Sequence, residues 1–463
     1  MRYIAVDLGT SFIKGAVLDL DRLRIEHLRR RPFPPALPNL PPLCHEVDPD
    51  AIVDATADLL DELARHAPDC RGVLVCGQMH GLVLTDDSRA PLSNAITWLD
   101  QRALMPHPTQ PGTVFDELRR RIDDAQHRQL GNELKPSLPL CALFWLAERD
   151  ALPTVDAIPA SIPDYVLARL SSSAPWVEAT MAASQGALDL ETGAWHQAVL
   201  EQLGLAHLRW PDLAPAPQPV YTLRLAGRSV GCSAAIGDHQ AALLGALLQP
   251  DELSLNISTG SQVSLLAATL RYGDYQVRPF FDGRFLKTIS RIPAGRALNA
   301  LVSLLQELSH GLGIDLPDPW PYIAAQAAAV EHTDLRVNLA FFASTAGDRG
   351  EIANLREDNL SVGHLFRAAF EHMADNYQAC ARRLDPAQPW RRLVFSGGLA
   401  QRIPLLREIV ASRLGAPLRL CPTEEDTLLG LLALSLVVDG RAESLANATT
   451  ALMTEAQAGH DFC

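Results

Sequence analysis

The chain has 463 residues, which is too long for one compact core, and it therefore predicts two domains that each bury a sizeable interior. Its formal net charge of −14 excludes broad binding to a nucleic-acid backbone, which requires clustered Lys and Arg, so no nucleic-acid partner is expected. The longest apolar run, residues 428–438, is too short to cross a bilayer and predicts a buried helix, so no membrane partner is expected.

The eight cysteines are scattered through the chain, with no CxxC pair and no spacing typical of zinc ligands. This pattern predicts reduced thiols in a cytoplasmic protein. The N-terminus begins with a strand pattern that carries Asp7, rather than with a basic segment followed by an apolar stretch, so no signal peptide is expected.

The first predicted element is a β-hairpin with a polar tip. Residues 2–6 and 14–20 are its apolar strands, and Gly9 between them is expected to adopt a positive φ in a tight turn. The tip presents backbone N–H groups, two hydroxyls and the Asp7 carboxylate. Such a set suits a phosphate with its metal ion, because successive amides bind anions and a carboxylate binds Mg²⁺ or its waters. An ordinary hairpin turn is the alternative interpretation.

The next segment alternates strands and helices, which predicts an α/β domain with a mixed sheet. Residues 25–33 have the pattern of a third strand. Residues 50–67 have the spacing of an amphipathic helix, with Asp48 or Asp50 near its N-terminal cap.

A turn of unusual composition lies between two short buried strands, residues 72–76 and 81–84. It contains Gln78, Met79 and His80 between two glycines, which let the backbone approach a ligand closely. The side chains of Gln78 and His80 can hydrogen-bond the hydroxyls of a polyol. The alternative is a packed turn whose histidine is satisfied internally.

The middle section, residues 140–218, contains mostly helix and loop signals. A strand is predicted at residues 230–236, and Asp238 lies between its carboxyl end and a helix-like run at residues 239–248. Ligands of open α/β sheets bind beyond the carboxyl ends of strands, so Asp238 is a candidate catalytic carboxylate. The alternative is that Asp238 caps the helix, a role that is compatible with catalysis.

The second half of the chain repeats the opening pattern. Residues 253–257 and 263–267 are apolar strands that flank a tip with Thr259 and Gly260. Two such hairpins, half a chain apart, predict a duplicated architecture in which facing tips clamp a phosphate chain.

The end of the chain contains a second strand–turn–helix unit. A strand at residues 392–395 leads into a turn with Gly397 and Gly398, and a helix is predicted at residues 403–414. Residues 424–427 are expected to cap the last apolar helix and to face a nucleotide only indirectly.

Two familiar motifs are set aside. The GxxxxGK[ST] loop of P-loop kinases does not occur. Residues 227–231 match the GxSxG pattern of hydrolase nucleophile elbows, but a strand rather than a helix follows the serine, which disfavours a hydrolase.

The motifs at residues 7, 77, 98, 238, 259 and 397 resemble, in this order, those of the FGGY family of carbohydrate kinases, which is part of the actin-like ATPase superfamily. The resemblance covers nearly the whole chain. It implies an α/β fold of two actin-like (ribonuclease H-like) domains, whose mixed sheets are flanked by helices around an inter-domain cleft. Residues 1–246 would form the sugar-binding domain, and residues 247–463 the nucleotide-binding domain.

The resemblance also implies the site residues of a kinase that uses ATP and Mg²⁺. Asp238 would be the general base, and Asp7 would hold Mg²⁺ through water. The implied substrate-binding residues are Gln78, Met79, His80, Trp98, Asp100 and Arg102, and the implied ATP-binding residues are Gly9, Thr10, Ser11, Lys14, Thr259, Gly260, Gly397 and Gly398. Without the family, Asp100 and Arg102 are interpreted as a surface ion pair, and Lys14 as a solvated lysine at a strand edge.

Residues 76–81 and 425–428 look most like those of sedoheptulokinases and next like those of xylulokinases. The expected reaction is therefore in-line phosphoryl transfer from ATP to a ketose such as sedoheptulose. D-Xylulose, and glycerol or another polyol, are the alternatives within the family. A different class of function is a nucleotide switch of the actin or Hsp70 kind. The expected partners are a small-molecule sugar and ATP, and the oligomeric state is left open, a homodimer included.

Overall fold

The structure, a computed structural model, describes residues 1–154, 156–215, 217–315 and 317–463. In chain order its strands are β1 (Arg2–Leu8), β2 (Phe12–Asp19), β3 (Arg24–Pro32), β4 (Glu46–Val47), β5 (Cys70–Gly77), β6 (Val83–Thr85), β7 (Ala95–Ile96), β8 (Ile158–Ala160), β9 (Trp176–Val177), β10 (Leu188–Asp189), β11 (Ala194–Trp195), β12 (Asp212–Leu213), β13 (Pro219–Leu225), β14 (Arg228–Ser233), β15 (Ile236–Gly237), β16 (Glu252–Ile257), β17 (Ser261–Ala267), β18 (Gln276–Pro279), β19 (Phe285–Ile292), β20 (Arg336–Asn338), β21 (Glu351–Ala353), β22 (Arg392–Ser396) and β23 (Leu418–Leu420).

The α-helices are α1 (Pro49–His66), α2 (Val114–Arg121), α3 (Asp124–Gln129), α4 (Pro139–Ala147), α5 (Ile162–Ser171), α6 (Ala179–Ser184), α7 (Gln197–Gln202), α8 (Asp238–Gly245), α9 (Gly295–Gly311), α10 (Trp320–Ala328), α11 (Val362–Leu384), α12 (Gly398–Arg402), α13 (Pro404–Leu414), α14 (Asp426–Val438) and α15 (Leu445–Gln457). Within the described ranges, no helix is long and apolar enough to span a membrane.

The first large sheet lies in the N-terminal half of the chain. Its strands follow the order β13-β14-β5-β1-β2-β3, and β15 pairs with the end of β5. Strand β1 pairs antiparallel with β2, which sets Asp7 opposite Lys14, and parallel with β5. The sheet is therefore mixed, as the sequence predicts.

The second large sheet repeats this arrangement. Its order is β18-β19-β17-β16-β22-β23, and its central strand β16 pairs antiparallel with β17 and parallel with β22. In both sheets a central hairpin thus adjoins a parallel strand that enters from later in the chain. This agreement supports the duplication predicted from the two hairpins.

Helix α1 illustrates how local sequence directs the fold of the first half. Asp48 is its N-terminal cap and accepts a hydrogen bond from the Asp50 backbone N–H at 3.0 Å. The buried face includes Ile52, Leu59 and Leu63, whose spacing matches one side of a helix, and the helix packs against β1, β2 and β3.

Helices α8 and α14 cross in near-contact of their backbones. A Cβ atom on Gly245 would lie 1.8 Å from the Asp426 carbonyl oxygen, and one on Gly430 would lie 2.0 Å from the Ala241 carbonyl oxygen. Helices α14 and α15 come late in the chain, yet their leucines share a core with β1 and β2. The two halves of the chain are therefore joined at this crossing without an intervening layer of side chains.

Two local predictions are wrong. Gly9 does not have a positive φ; a Cβ atom there would lie 3.0 Å from the Phe12 carbonyl oxygen, so a close backbone approach explains the glycine. The predicted strand at residues 230–236 is divided into β14 and β15. The division arises because the Ala235 N–H turns away from the ladder and donates to Asp164 Oδ1 at 3.3 Å.

Candidate active site

A cavity of about 370 Å³ lies where the tip of the β1–β2 hairpin meets the first residues of α8 and α14. It brings together six residues that the sequence selects: Asp7, Gly9, Thr10, Ser11, Lys14 and Asp238. The remaining lining residues are Phe12, His239, Ala242, Asn256, Gln262, Asp426 and Thr427. We refer to this space as the carboxylate cavity, because three aspartates line it.

Asp7 lies next to the end of β1 and is only 6% exposed. Its Oδ2 atom accepts a hydrogen bond from Thr427 Oγ1 at 2.8 Å, whereas Oδ1 has no hydrogen-bond partner among the described residues. The neighbouring Cys76 thiol is a weak donor, and burial raises its pKa well above the usual range. Burial also raises the pKa of Asp7.

A divalent cation fits the free oxygen of Asp7, because hard cations prefer carboxylate oxygens. Among the residues described by the structure, no three His, Cys, Asp or Glu side chains are close enough to hold one metal ion together. A cation in the carboxylate cavity would therefore complete its coordination with water or with ligand oxygens.

Asp238 is the first residue of α8, and the N-terminal cap of this helix is Gly237. Its Oδ1 atom accepts a hydrogen bond from the His239 N–H at 2.7 Å. Burial and the charge of Asp7 raise the pKa of Asp238 to about 7, while the His239 N–H and the more distant Arg278 oppose the shift. A carboxylate with such a pKa is suited to accept a proton near neutral pH.

Lys14 is held at the edge of the cavity rather than left in solvent. Its Nζ atom lies 3.0 Å from Glu425 Oε2, and Arg30 forms an ion pair with the other oxygen of the same carboxylate. The Lys14 side chain is 27% exposed. Its ammonium group therefore stands where it meets both the cavity and a buried carboxylate.

Asp426 and Thr427 are site residues that the sequence analysis missed. They are the first residues of α14 and line the carboxylate cavity directly, although the sequence predicted only an indirect role. Burial raises the pKa of Asp426 to about 7. The signal that could have revealed it is the parallel with Asp238, since each aspartate opens an apolar helix that follows a short strand.

The turn after β5 supports the hairpin tip and contacts the residue before Asp238. The Gln78 backbone N–H donates to Leu8 O at 2.9 Å, and its buried side chain donates to Gly9 O at 3.4 Å. Met79 packs on Gly237, where a Cβ atom would lie 3.1 Å from Sδ. This turn therefore fixes two walls of the cavity at once.

His80 has a positive φ of 66° and a buried Nε2 atom without a hydrogen-bond partner among the described residues. Burial, together with the positive charge of Lys135, lowers the pKa of His80 to about 3. The imidazole is therefore neutral, and one nitrogen is available for a ligand hydroxyl.

Trp98 and Asp100 lie on a loop, and Arg102 begins the short 3-10 helix Arg102–Leu104 that follows it; none of the three lines the carboxylate cavity. Trp98 is 41% exposed. Asp100 and Arg102 are both buried, and the carboxylate accepts from Arg102 Nε at 2.9 Å and from Nη2 at 2.8 Å. The same aspartate accepts from the His45 N–H at 2.8 Å, and Arg102 also bonds Glu46 at 2.6 Å. The pair is thus a buried ion pair with little capacity left for a ligand.

A buried network missed by the sequence analysis joins the two halves behind Asp238. Arg278 on β18 binds Glu133 through Nε at 2.8 Å and Nη2 at 2.6 Å, and its Nη1 donates to His239 Nδ1 at 2.9 Å. Because a guanidinium group only donates, His239 must carry its proton on Nε2. Lys135 binds the same Glu133 oxygen at 2.6 Å.

A second cavity, of about 550 Å³, adjoins the tip of the β16–β17 hairpin. It is lined by the predicted residues Thr259 and Gly398, and also by Ser258, Gly295, Asn299, Asp318, Trp320, Pro321, Ala324, Leu399, Arg402 and Ile403. Its size and its mixed lining, with one indole, suit a nucleoside. The lining residues of α9 and α10 follow no motif that the sequence analysis recognised.

Gly397 is required at the wall between β22 and α12. Its φ is +88°, and a Cβ atom would lie 2.5 Å from the Ile257 carbonyl oxygen at the end of β16. Gly260 closes the neighbouring hairpin tip, where its carbonyl accepts from the Ser258 N–H at 3.0 Å. Asn256, which lines the carboxylate cavity, donates to Ser396 Oγ at 3.1 Å. The two cavities therefore meet at the end of β16.

Comparison with known proteins gives concordant results. The FGGY carbohydrate kinase N-terminal domain matches residues 2–245, and the C-terminal domain of the same family matches residues 319–438. Sedoheptulokinase from Mus musculus is 23% identical, and the alignment covers 88% of this chain and 91% of the relative. Sedoheptulokinase from Homo sapiens is 25% identical, and the alignment covers 81% of this chain and 83% of the relative. The crystal structure of xylulose kinase from Rhodospirillum rubrum superposes with a TM-score of 0.81 at 22% identity, over 97% of this chain and 92% of that one. These matches confirm the two-domain actin-like fold class.

Proposed function

Because this chain belongs to the FGGY family of carbohydrate kinases and is a sugar kinase, we propose that its acceptor is a ketose, with sedoheptulose the first candidate. The support is the similarity to sedoheptulokinases, which extends over most of the chain. D-Xylulose and glycerol are the next candidates within the same family. A nucleotide switch without transferase activity loses its support, because the family consists of kinases.

The observation that carries the mechanism is the position of Asp238 in one cavity with Asp7 and the first hairpin tip, beside a cavity of nucleoside size. In the proposed reaction, Asp238 accepts the proton of the attacking sugar hydroxyl as its oxygen bonds to the γ-phosphorus of ATP. The bond from that phosphorus to the oxygen of the leaving ADP breaks in line. The products are a sugar phosphate and ADP.

Phosphate positioning is assigned to the two hairpin tips. Thr10 and Ser11 would face the phosphates from the first sheet, and Thr259 and Gly260 from the second. The Lys14 ammonium, held by Glu425, would stabilise negative charge that develops on the transferred group. Asp7 would hold Mg²⁺ through its unpartnered oxygen or through water, and the ion would neutralise phosphate charge.

The sugar is assigned to the region between the carboxylate cavity and the turn after β5, whose residues 78–80 do not line the cavity themselves. His80 Nε2 would exchange a hydrogen bond with a sugar hydroxyl. The exposed Trp98 ring lies outside the carboxylate cavity and would pack only on the part of the sugar that extends beyond it. The buried pair of Asp100 and Arg102 would hold the Trp98 loop in shape rather than bind the sugar.

We further propose a domain division at residue 246, directly after α8, and closure of the domains to exclude water that would otherwise hydrolyse ATP. The cytoplasmic location predicted from the cysteine pattern is part of the proposal.

The test is an ADP-release assay with ATP, Mg²⁺ and a panel of sedoheptulose, D-xylulose, glycerol and D-gluconate, with a sample without sugar as the control. We expect ADP release that depends on the sugar and is fastest with sedoheptulose. A higher kcat/KM for D-xylulose or glycerol would replace the substrate assignment. ATP hydrolysis that no member of the panel accelerates would contradict the ketose proposal as a whole.

A further inference from the structure

The carboxylate cavity contains one more acidic residue than the proposed mechanism uses. Asp238 and Asp426 are each the first residue of a helix. The Asp238 side chain accepts a hydrogen bond from the backbone N–H of the next residue at 2.7 Å, and the Asp426 side chain does the same at 2.8 Å. In both side chains the other carboxylate oxygen remains for the cavity. Asp238 is assigned to the sugar hydroxyl, whereas Asp426 has no assigned role.

Asp426 is connected to Asp7 through its neighbour in the chain. Thr427 donates to Asp7 Oδ2 at 2.8 Å, which fixes the Asp7 carboxylate relative to the start of α14. The other oxygen of Asp7 is buried at the cavity wall without a hydrogen-bond partner among the described residues. Burying a carboxylate oxygen without a hydrogen-bond partner costs free energy, unless a ligand binds that oxygen.

The charges around the cavity favour a cation as that ligand. Lys14 and Arg30 both form ion pairs with Glu425, so they are already engaged. Within the described part of the chain, none of the three aspartates that line the cavity forms an ion pair. Three carboxylates that share one cavity repel each other, and a divalent cation would relieve this repulsion.

The cavity has room for a hydrated cation. Its volume is about 370 Å³. Six waters occupy roughly 180 Å³ at the volume per molecule of the liquid. Binding through water also agrees with the finding that no three acidic, histidine or cysteine side chains of the described residues approach closely enough for joint direct coordination.

We propose that Asp426 acts with Asp7 to bind a hydrated divalent cation in the carboxylate cavity before the nucleotide arrives, an inference that rests on the kinase function proposed above. Asp426 would then be a cation-binding residue of this chain, in addition to Asp7. The cation would already stand beside the hairpin tip when the phosphates of ATP enter.

The test is a titration of the nucleotide-free 463-residue chain with Mn²⁺, in which electron paramagnetic resonance measures the concentration of the free ion. We expect the wild-type protein to bind Mn²⁺ and the Asp426→Asn variant to bind it about tenfold or more weakly. Glu424→Gln is the matched control, because it removes the same charge two residues away at an exposed position outside the cavity. This control should bind Mn²⁺ as the wild type does.

Asp426→Ser provides a second variant with a helix-capping side chain, should the Asn variant unfold. The proposal is overturned if the wild type binds no Mn²⁺ without nucleotide, or if either folded Asp426 variant retains the wild-type affinity. Sugar-dependent ADP release by the wild type is measured separately. If the wild type releases ADP in the presence of sugar but the Asp426 variants bind Mn²⁺ as tightly as the wild type, only this inference is refuted. If the variants bind Mn²⁺ more weakly but the wild type releases no ADP with any sugar, only the ketose kinase proposal is refuted.

Discussion

Glu133 and Arg278 form a buried, bidentate ion pair that joins the first half of the chain to the second sheet. The two residues are 145 positions apart, and both are less than a tenth exposed. Because Arg278 also donates to His239, the residue after Asp238, the pair supports the active site from behind. Removing only one partner of such a buried pair lowers the free energy of unfolding strongly, because the other charge stays buried without its partner.

We expect Arg278→Met to lower the free energy of unfolding by about 3–5 kcal/mol, since the Glu133 carboxylate would stay buried without its main partner. Urea unfolding followed by circular dichroism measures the change. Arg209→Met is the matched control, because Arg209 pairs with Asp87 at an exposed position and should leave the midpoint nearly unchanged. Equal midpoints for the wild type and Arg278→Met would contradict the structural role of the pair.

We expect Asp238→Asn to lower kcat by roughly 10²–10⁴-fold while the affinity for ATP is preserved, because the amide cannot accept the hydroxyl proton. Initial rates of ADP release give kcat, and isothermal titration with a non-hydrolysable ATP analogue gives the affinity. Glu424→Gln serves as the control for the loss of one negative charge near the site. Full turnover by Asp238→Asn would remove the proposed base.

Gly397 and Gly398 allow a comparison between adjacent glycines. Gly397→Ala should weaken nucleotide binding and lower stability, because the new Cβ atom would meet the Ile257 carbonyl and the φ of +88° strains an alanine. Gly398→Ala should leave stability nearly unchanged, since no atom of the described residues beyond its chain neighbours and its own helix lies within 4 Å of its Cβ position. Thermal unfolding with and without ADP measures both effects, and similar behaviour of the two variants would count against the described contact.

Asp164 predicts a pH dependence of stability. Burial raises its pKa to about 8, whereas in the unfolded chain it titrates near its ordinary value of 3.8. Between these values the folded protein retains a proton that the unfolded chain releases, so the contribution of Asp164 to stability is full below pH 4 and is lost as the pH rises towards 8.

The free energy of unfolding of the variant Asp164→Asn should therefore be highest relative to that of the wild type above pH 8. This difference between the two proteins should shrink as the pH falls to 4. Unfolding free energies of both proteins at several pH values provide the measurement. Because other buried carboxylates titrate in the same window, the informative quantity is the difference between the two proteins. A difference that does not change between pH 4 and pH 8 would show that Asp164 is charged in the folded protein.

Local patterns in the sequence were sufficient for the two hairpins, α1 and the placement of Asp238. Each of these depends on residues that are close in the chain, such as an apolar run that ends at Asp7 or a cap at Asp48. The pair of Glu133 and Arg278 could not be predicted, because only the folded chain brings these distant positions together.

The nucleoside-sized cavity was recognised only in part for the same reason. Gly398 stands in a turn with a visible pattern, whereas Asn299 and Trp320 lie on helices whose cavity-facing residues form no local motif. The φ of Gly9 was mispredicted, since a glycine in a turn has two uses and the sequence does not distinguish a left-handed backbone from a close approach.

The glycine crossing of α8 and α14 has a mechanical consequence for the aspartates that open these helices. In most helix pairs, side chains lie between the two backbones and can change rotamer when one helix moves. Here the backbone carbonyl groups contact the Cα atoms of Gly245 and Gly430 directly. A lateral shift of one helix would therefore meet hard repulsion at once. If the proposed closure of the domains changes the width of the cleft, this backbone contact would keep the separation of Asp238 and Asp426 nearly constant.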